Sequence, residues 1–195
     1  MSLFWLIQIV YWLALSTWFG GVLFITVAAP VIFKTVRQND PTLPKVLSVN
    51  LRRQHSTLLA GSIVGNLLAV MGRIETGCAA AVALGLVGQW FLAERSGGEL
   101  VAMVLRNGLY IGAAGMLAYD RLMLWPRIWR SRQDYIDHAD EPEVANAARE
   151  QFDHLHKESV TVLSILLCLL LGMVLFSGQI RPSTAMLFHV FSAQP

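Results

Sequence analysis

The chain has 195 residues, 55% of them hydrophobic and only 14% charged, with a formal net charge of +2. A soluble domain usually carries about 25% charged residues, and so small a net charge leaves no electrostatic footprint for nucleic acid. The charges that remain sit in blocks between long apolar runs, a pattern that points to a single membrane-embedded helical domain over residues 1–195.

The first run, Leu3 to Phe33, has no formally charged side chain. About 20 residues at 1.5 Å each cross a hydrocarbon core of roughly 30 Å, so it is long enough to span. It lacks the basic leader of a signal peptide, is too apolar for too long, and places Pro30 directly after Ala28–Ala29, where cleavage would fall. Retention as a transmembrane helix is expected.

A polar stretch at about 34–55 follows, with Lys34, Arg37, Lys45, Arg52 and Arg53 against Asp40. Ser56–Gly72 and Gly77–Ala93 form the second and third apolar runs, both near the lower length limit for spanning. The fourth is centred on Asn107–Trp125 and starts as early as Leu100 if Arg106 is tolerated; the fifth covers Ser159–Phe176. Between them lies a second polar stretch, 126–158, with Arg127, Arg130, Arg132, Arg149 and Lys157 among many acids. The tail holds a short apolar patch, Ala185–Phe191, suited to the interface, with His189 as a surface residue.

Inside a bilayer each backbone N–H and C=O needs an internal partner, which for runs of this length means helices. The expected fold is therefore an all-α integral membrane bundle of four to five transmembrane helices, placed in an inner or plasma membrane with lipid as its first partner. The positive-inside rule puts both polar stretches in the cytoplasm, which needs an even number of crossings between them. Three apolar runs lie between. Either one does not cross, or one basic stretch is external.

Gly61 and Gly65, Gly108 and Gly112, and Ala81 and Gly85 are small-xxx-small pairs that can let helices approach closely. Cys78 and Cys168 lie singly in apolar runs and are expected to be buried free thiols. In the acidic stretch, Asp140 or Glu141 can cap a helix with Pro142 in its first turn. That helix continues into the fifth run with Val144, Ala148, Phe152, Leu155 and Ser159 along one side. His156 joins the Phe152 face and His154 points away, so "DHLH" does not present paired ligands to a metal.

Four local patterns then fall in order. They are "WFGG" at Trp18 to Gly21 followed by "APVIF" at Ala29 to Phe33; "LRRQH" entering the second run; Pro126–Arg127 after a span; and "FDHLHKES" entering the last span. Together they resemble the transmembrane protein 205-like family, in bacteria the domain of unknown function 4149, from Trp18 to about Phe176. The resemblance implies a four-span helical membrane protein and names no reaction. By motif it carries over to Trp18, Gly20, Gly21, Pro30, Phe33, His55, Pro126, Arg127, Phe152, His156 and Ser159. The chain departs from it by one extra apolar stretch before Pro126.

Three readings of function stay open. One is a structural or accessory membrane subunit, in a homo-oligomer or a larger complex, with Trp125 and Trp129 as interfacial anchors. The second is a redox protein with His55 and His156 as haem or copper ligands. "WFGG" also faintly resembles the four-helix protoporphyrinogen oxidase and copper-export families, yet the histidine they place two turns earlier is missing from "LIQIVYW". The third is transport of a small solute or ion, for which Asp120 beside Arg121, with Arg106 earlier, is the intramembrane charge set. His55, Ser159 and Arg127 complete the candidate polar site: His55 marks the entry of the second helix and can meet the entry of the last, while Arg52 and Arg53 reach lipid phosphates. No GxSxG, P-loop, HExxH or dinucleotide fingerprint is present, so a soluble-type hydrolase is not supported; the leading expectation is a protein without enzymatic activity, cofactor or resident metal, with haem on His55 and His156 as the alternative.

Overall fold

The computed structural model describes residues 3–39, 55–92, 97–138 and 140–178. These form α1 (Leu3–Asn39), α2 (His55–Leu92), α3 (Gly97–Tyr119), a π-helical turn (Asp120–Leu124), α4 (Trp125–Asp137) and α5 (Pro142–Ser177). Most of the 34–55 stretch and the tail with His189 lie outside the described residues.

Among the described residues four helical rods are long and apolar enough to cross a bilayer: Leu3–Asn39, Ser56–Leu92, Gly97–Asp137 and Glu143–Ser177. Only 17% to 28% of each rod's most apolar window is buried, so their oily surface faces outward, as it must where lipid is the solvent. The chain is an all-α integral membrane helical bundle.

The second and third apolar runs are one helix. Arg73 and Glu75 interrupt the hydropathy between them, but neither residue breaks a helix, and α2 continues through both for 38 residues. Arg73 is exposed while Glu75, 1% exposed, points inward. The candidate spans among the described residues therefore number four, and the supposed extra stretch before Pro126 is the second half of α2. Two spans, α2 and α3, separate the polar stretches, which removes the conflict in the charge count.

Pro126 does not end a helix. A proline lacks the N–H and crowds the carbonyl four residues back. Here the preceding turn widens: the Trp125 N–H bonds the Asp120 carbonyl five residues away, and Pro126 falls in the first turn of α4, where a missing donor costs little. Pro142 opens α5 as expected, with Ala145 N–H bonding the Glu141 carbonyl at 2.9 Å.

The chain divides into two compact units, and each long helix contributes to both. The first comprises Met1–Gly20, Ile74–Gly115 and Leu166–Pro195. On α1 its buried stripe is Phe4, Gln8, Tyr11, Leu15 and Trp18, steps of three or four residues that keep one helical face inward. Facing stripes carry Ala79, Val82, Leu86 and Gln89 on α2, Ala102, Met103, Arg106 and Ala113 on α3, and Leu166, Leu170 and Met173 on α5. The second unit comprises Gly21–Arg73 and Met116–Ile165, with Leu124, Leu155 and Val162 as its buried cluster.

Three sequence expectations shift. The inward face at the start of α5 is Ala145 and Ala148, not Val144, which is 43% exposed. Cys168 is exposed and Cys78 half-buried, so the thiols are free but not core residues. Of the small-residue pairs, Gly85 makes the close approach: a Cβ there would lie 2.9 Å from Tyr11 Cβ. At Gly61 and Gly65 it would make ordinary contacts at 3.9 and 3.7 Å, and at Gly108 none within 4 Å.

Candidate functional site

Five buried positions among the described residues of the first unit are polar or charged, Gln8, Glu75, Gln89, Arg106 and Ser177, and three of them, Gln8, Gln89 and Arg106, bond to one another. Arg106 and Gln89 are both 0% exposed. Arg106 Nη1 donates to Gln89 Oε1 at 2.5 Å, and Gln89 Nε2 donates to Gln8 Oε1 at 2.7 Å, a chain that crosses α3, α2 and α1. The guanidinium carbon also sits 5.2 Å from the centre of the Tyr11 ring, within cation–π range. Tyr11 reaches this position because Gly85 lets α1 close on α2.

The layer extends to the fourth helix. Tyr11 Oη lies 2.6 Å from Ser177 Oγ, and Ser177 Oγ donates to the Met173 carbonyl at 2.6 Å. The serine proton is thus committed to its own helix, which leaves the tyrosine as donor between the two hydroxyls. Tyr110 adds a bond from its hydroxyl to the Ala79 carbonyl at 3.1 Å.

Arg106 is the chemically decisive member. Its Nε and Nη2 are buried and without a hydrogen-bond partner among the described residues, and no carboxylate pairs with it there. An ionised side chain withdrawn from water without a counter-charge costs several kcal/mol even after relaxation. Such a residue inside a membrane helix marks a site by default. Snorkelling would have turned the guanidinium outward to water; instead it points into the helices.

The second unit holds the residues that sequence reasoning favoured. Asp120, 9% exposed, pairs with Arg121 at 3.4 Å on the π turn. Arg121 Nη1 donates to the Leu68 carbonyl at 3.3 Å and its guanidinium carbon lies 5.8 Å from the Trp125 ring centre. It lies against Gly72, where any Cβ would overlap the guanidinium. Tyr119 donates to Glu158. The notional charge set thus splits: Asp120 and Arg121 neutralise each other in one unit, and in the other no described carboxylate pairs with Arg106.

The motif residues disperse. Trp18 is fully buried with Nε1 unpartnered among the described residues, Gly21 packs on Met71, and Gly20, Pro30, Pro126 and Arg127 are exposed. Phe33 and Phe152 are half-buried and line one cavity of the second unit. His156 is exposed and stacked on Phe152, with centroids 6.1 Å apart and planes 8° apart, and Ser159 is half-buried. His55 is the first residue of α2, but its side chain lies outside the described residues, and with it any pairing to His156. Among the described residues no group of three His, Cys, Asp or Glu is placed to hold a metal ion.

Sequence reasoning missed Gln8, Tyr11, Glu75, Gln89 and Ser177. The signal was present for Gln8, which falls four residues after Phe4 and three before Tyr11 on the apolar face. Comparison of the chain with family models, with curated proteins and with solved structures gives no match.

Proposed function

We propose that this is a membrane protein that binds a small anion at Arg106 and carries it, the transport reading among the three. One observation supports it above the others: a fully buried guanidinium in a membrane-spanning helix, with two nitrogens unpartnered and no carboxylate paired with it among the described residues. Gln89 and Gln8 hold its first nitrogen in place, and the Tyr11 ring shields one face. The remaining donors suit a monovalent inorganic anion, which supplies the missing charge without a tetrahedral cage. The residues act as binding groups, not as a reaction centre.

The accessory-subunit reading draws on the same bonds, since Gln8, Gln89 and Arg106 also join three helices as polar glue. The two readings part in a flux assay on purified protein in liposomes. On the transport reading a chloride or nitrate gradient dissipates with the native chain, Arg106→Gln abolishes the flux, and Arg106→Lys keeps a fraction of it. Anion permeability equal to protein-free liposomes, with Arg106→Gln folded and indistinguishable from native, leaves only the glue.

The motif order from Trp18 to Phe176 supports kinship with the transmembrane protein 205-like family, and four candidate spans is the number that resemblance implies. An inner or plasma membrane is the location we propose, with both basic stretches on the cytoplasmic side.

A further inference from the structure

The second unit contains a cavity of about 380 Å³, inside the roughly 300–1,000 Å³ range of small-molecule sites. Its lining divides by chemistry. Arg37 of α1, Arg132 of α4 and Arg149 of α5 bring three guanidinium groups to it from three helices, against one carboxylate, Asp153. Phe33, Leu58 and Phe152 give it an apolar wall, with Thr57 and Tyr135 adding two hydroxyl-bearing side chains.

Arg132 is held in place: Nη2 donates to Ser62 Oγ at 2.5 Å and to the Leu58 carbonyl at 3.2 Å, and the guanidinium carbon lies 5.5 Å from the Trp129 ring centre. Trp129 stacks on Trp125, with centroids 6.3 Å apart, and remains 45% exposed. An exposed tryptophan beside arginines on an otherwise polar helix is the signature of the membrane–water interface. The cavity's mouth therefore lies at headgroup depth.

We propose that this cavity binds the headgroup of an anionic phospholipid: the guanidinium groups take the phosphate, and the aromatic wall takes the glycerol and first acyl carbons. A free phosphate would meet the same arginines but leave the apolar wall without a partner. A lipid meets both and is already present in the bilayer around the chain.

The test uses the full chain in a neutral detergent, titrated separately with dioctanoyl phosphatidylglycerol, dioctanoyl phosphatidylcholine and inorganic phosphate, with bound stoichiometry read by native mass spectrometry. Saturable one-to-one binding of the phosphatidylglycerol alone is expected. Arg37 and Arg149 are both exposed, so Arg37→Gln and Arg149→Gln leave the fold intact. Each is expected to weaken binding about fivefold, and the pair together about 25-fold. Equal binding of phosphatidylcholine, or native affinity in the double variant, overturns the site. Inorganic phosphate that competes at equal concentration overturns the lipid assignment.

Discussion

Gln89→Glu is a change of one atom type with a sign that depends on whether Arg106 is short of a counter-charge. The native amide oxygen lies 2.5 Å from Arg106 Nη1, so a carboxylate there becomes an ion pair. Two unit charges about 4 Å apart attract by about 4 kcal/mol at an effective dielectric of 20. Against this stand the desolvation of the new carboxylate and the loss of the 2.7 Å bond to Gln8, whose amide must rotate to present its NH₂. The balance is a gain of about 1–2 kcal/mol, or roughly 2–8 °C in Tm for a chain of this size. Gln89→Leu removes the acceptor that Arg106 has among the described residues, at a cost of about 3 kcal/mol. Thermal unfolding of the three proteins in one detergent, at low and high chloride, decides the matter. Opposite signs for Glu and Leu, with the chloride dependence lost in the Glu variant, are expected. A Glu variant that unfolds as early as the Leu variant refutes the reasoning.

Three further outcomes follow from the geometry. Gly85→Ala forces a Cβ to 2.9 Å from Tyr11 Cβ, so it should destabilise by about 1–3 kcal/mol, whereas Gly61→Ala, its nearest approach 3.9 Å, should stay within about 0.5; denaturant titration compares them. Tyr11→Phe and Ser177→Ala should each cost about 1 kcal/mol, and the double variant less than the sum, because both delete the same 2.6 Å bond. In a background without Cys78 and Cys168, cysteines at positions 45 and 134 should react with an impermeant thiol reagent from the same side of sealed vesicles, since two spans separate them; labelling from opposite sides would remove one span from the count.

The helices were legible because a bilayer leaves the backbone no other choice, and their oily lengths mark them directly. The break between α2's two halves was misplaced because a hydropathy window registers Arg73 and Glu75 as an interruption, while the backbone responds only to glycine, proline and capping chemistry. The site was harder to find. Arg106 in sequence looks like an arginine near a helix end that reaches back to water; its role depends on which face it occupies, and that face is set by Gln89 and Gln8 on other helices. Small-residue spacing was informative only in part: Gly61–Gly65 and Ala81–Gly85 both have the motif, but of the two only Gly85 has a tyrosine side chain closing on it.

The widened turn at Asp120–Leu124 sets the phase of the helix that follows it. An α-helix advances about 100° per residue, so the place where the backbone hydrogen bonds widen to span five residues sets the azimuth of all of α4. With that phase Arg132 meets Ser62 and Ser131 donates to the Ala148 carbonyl at 2.8 Å. Deleting one residue from this segment would swing both away from their acceptors at once, so a local frame slip here would carry the penalty of a whole lost helix face.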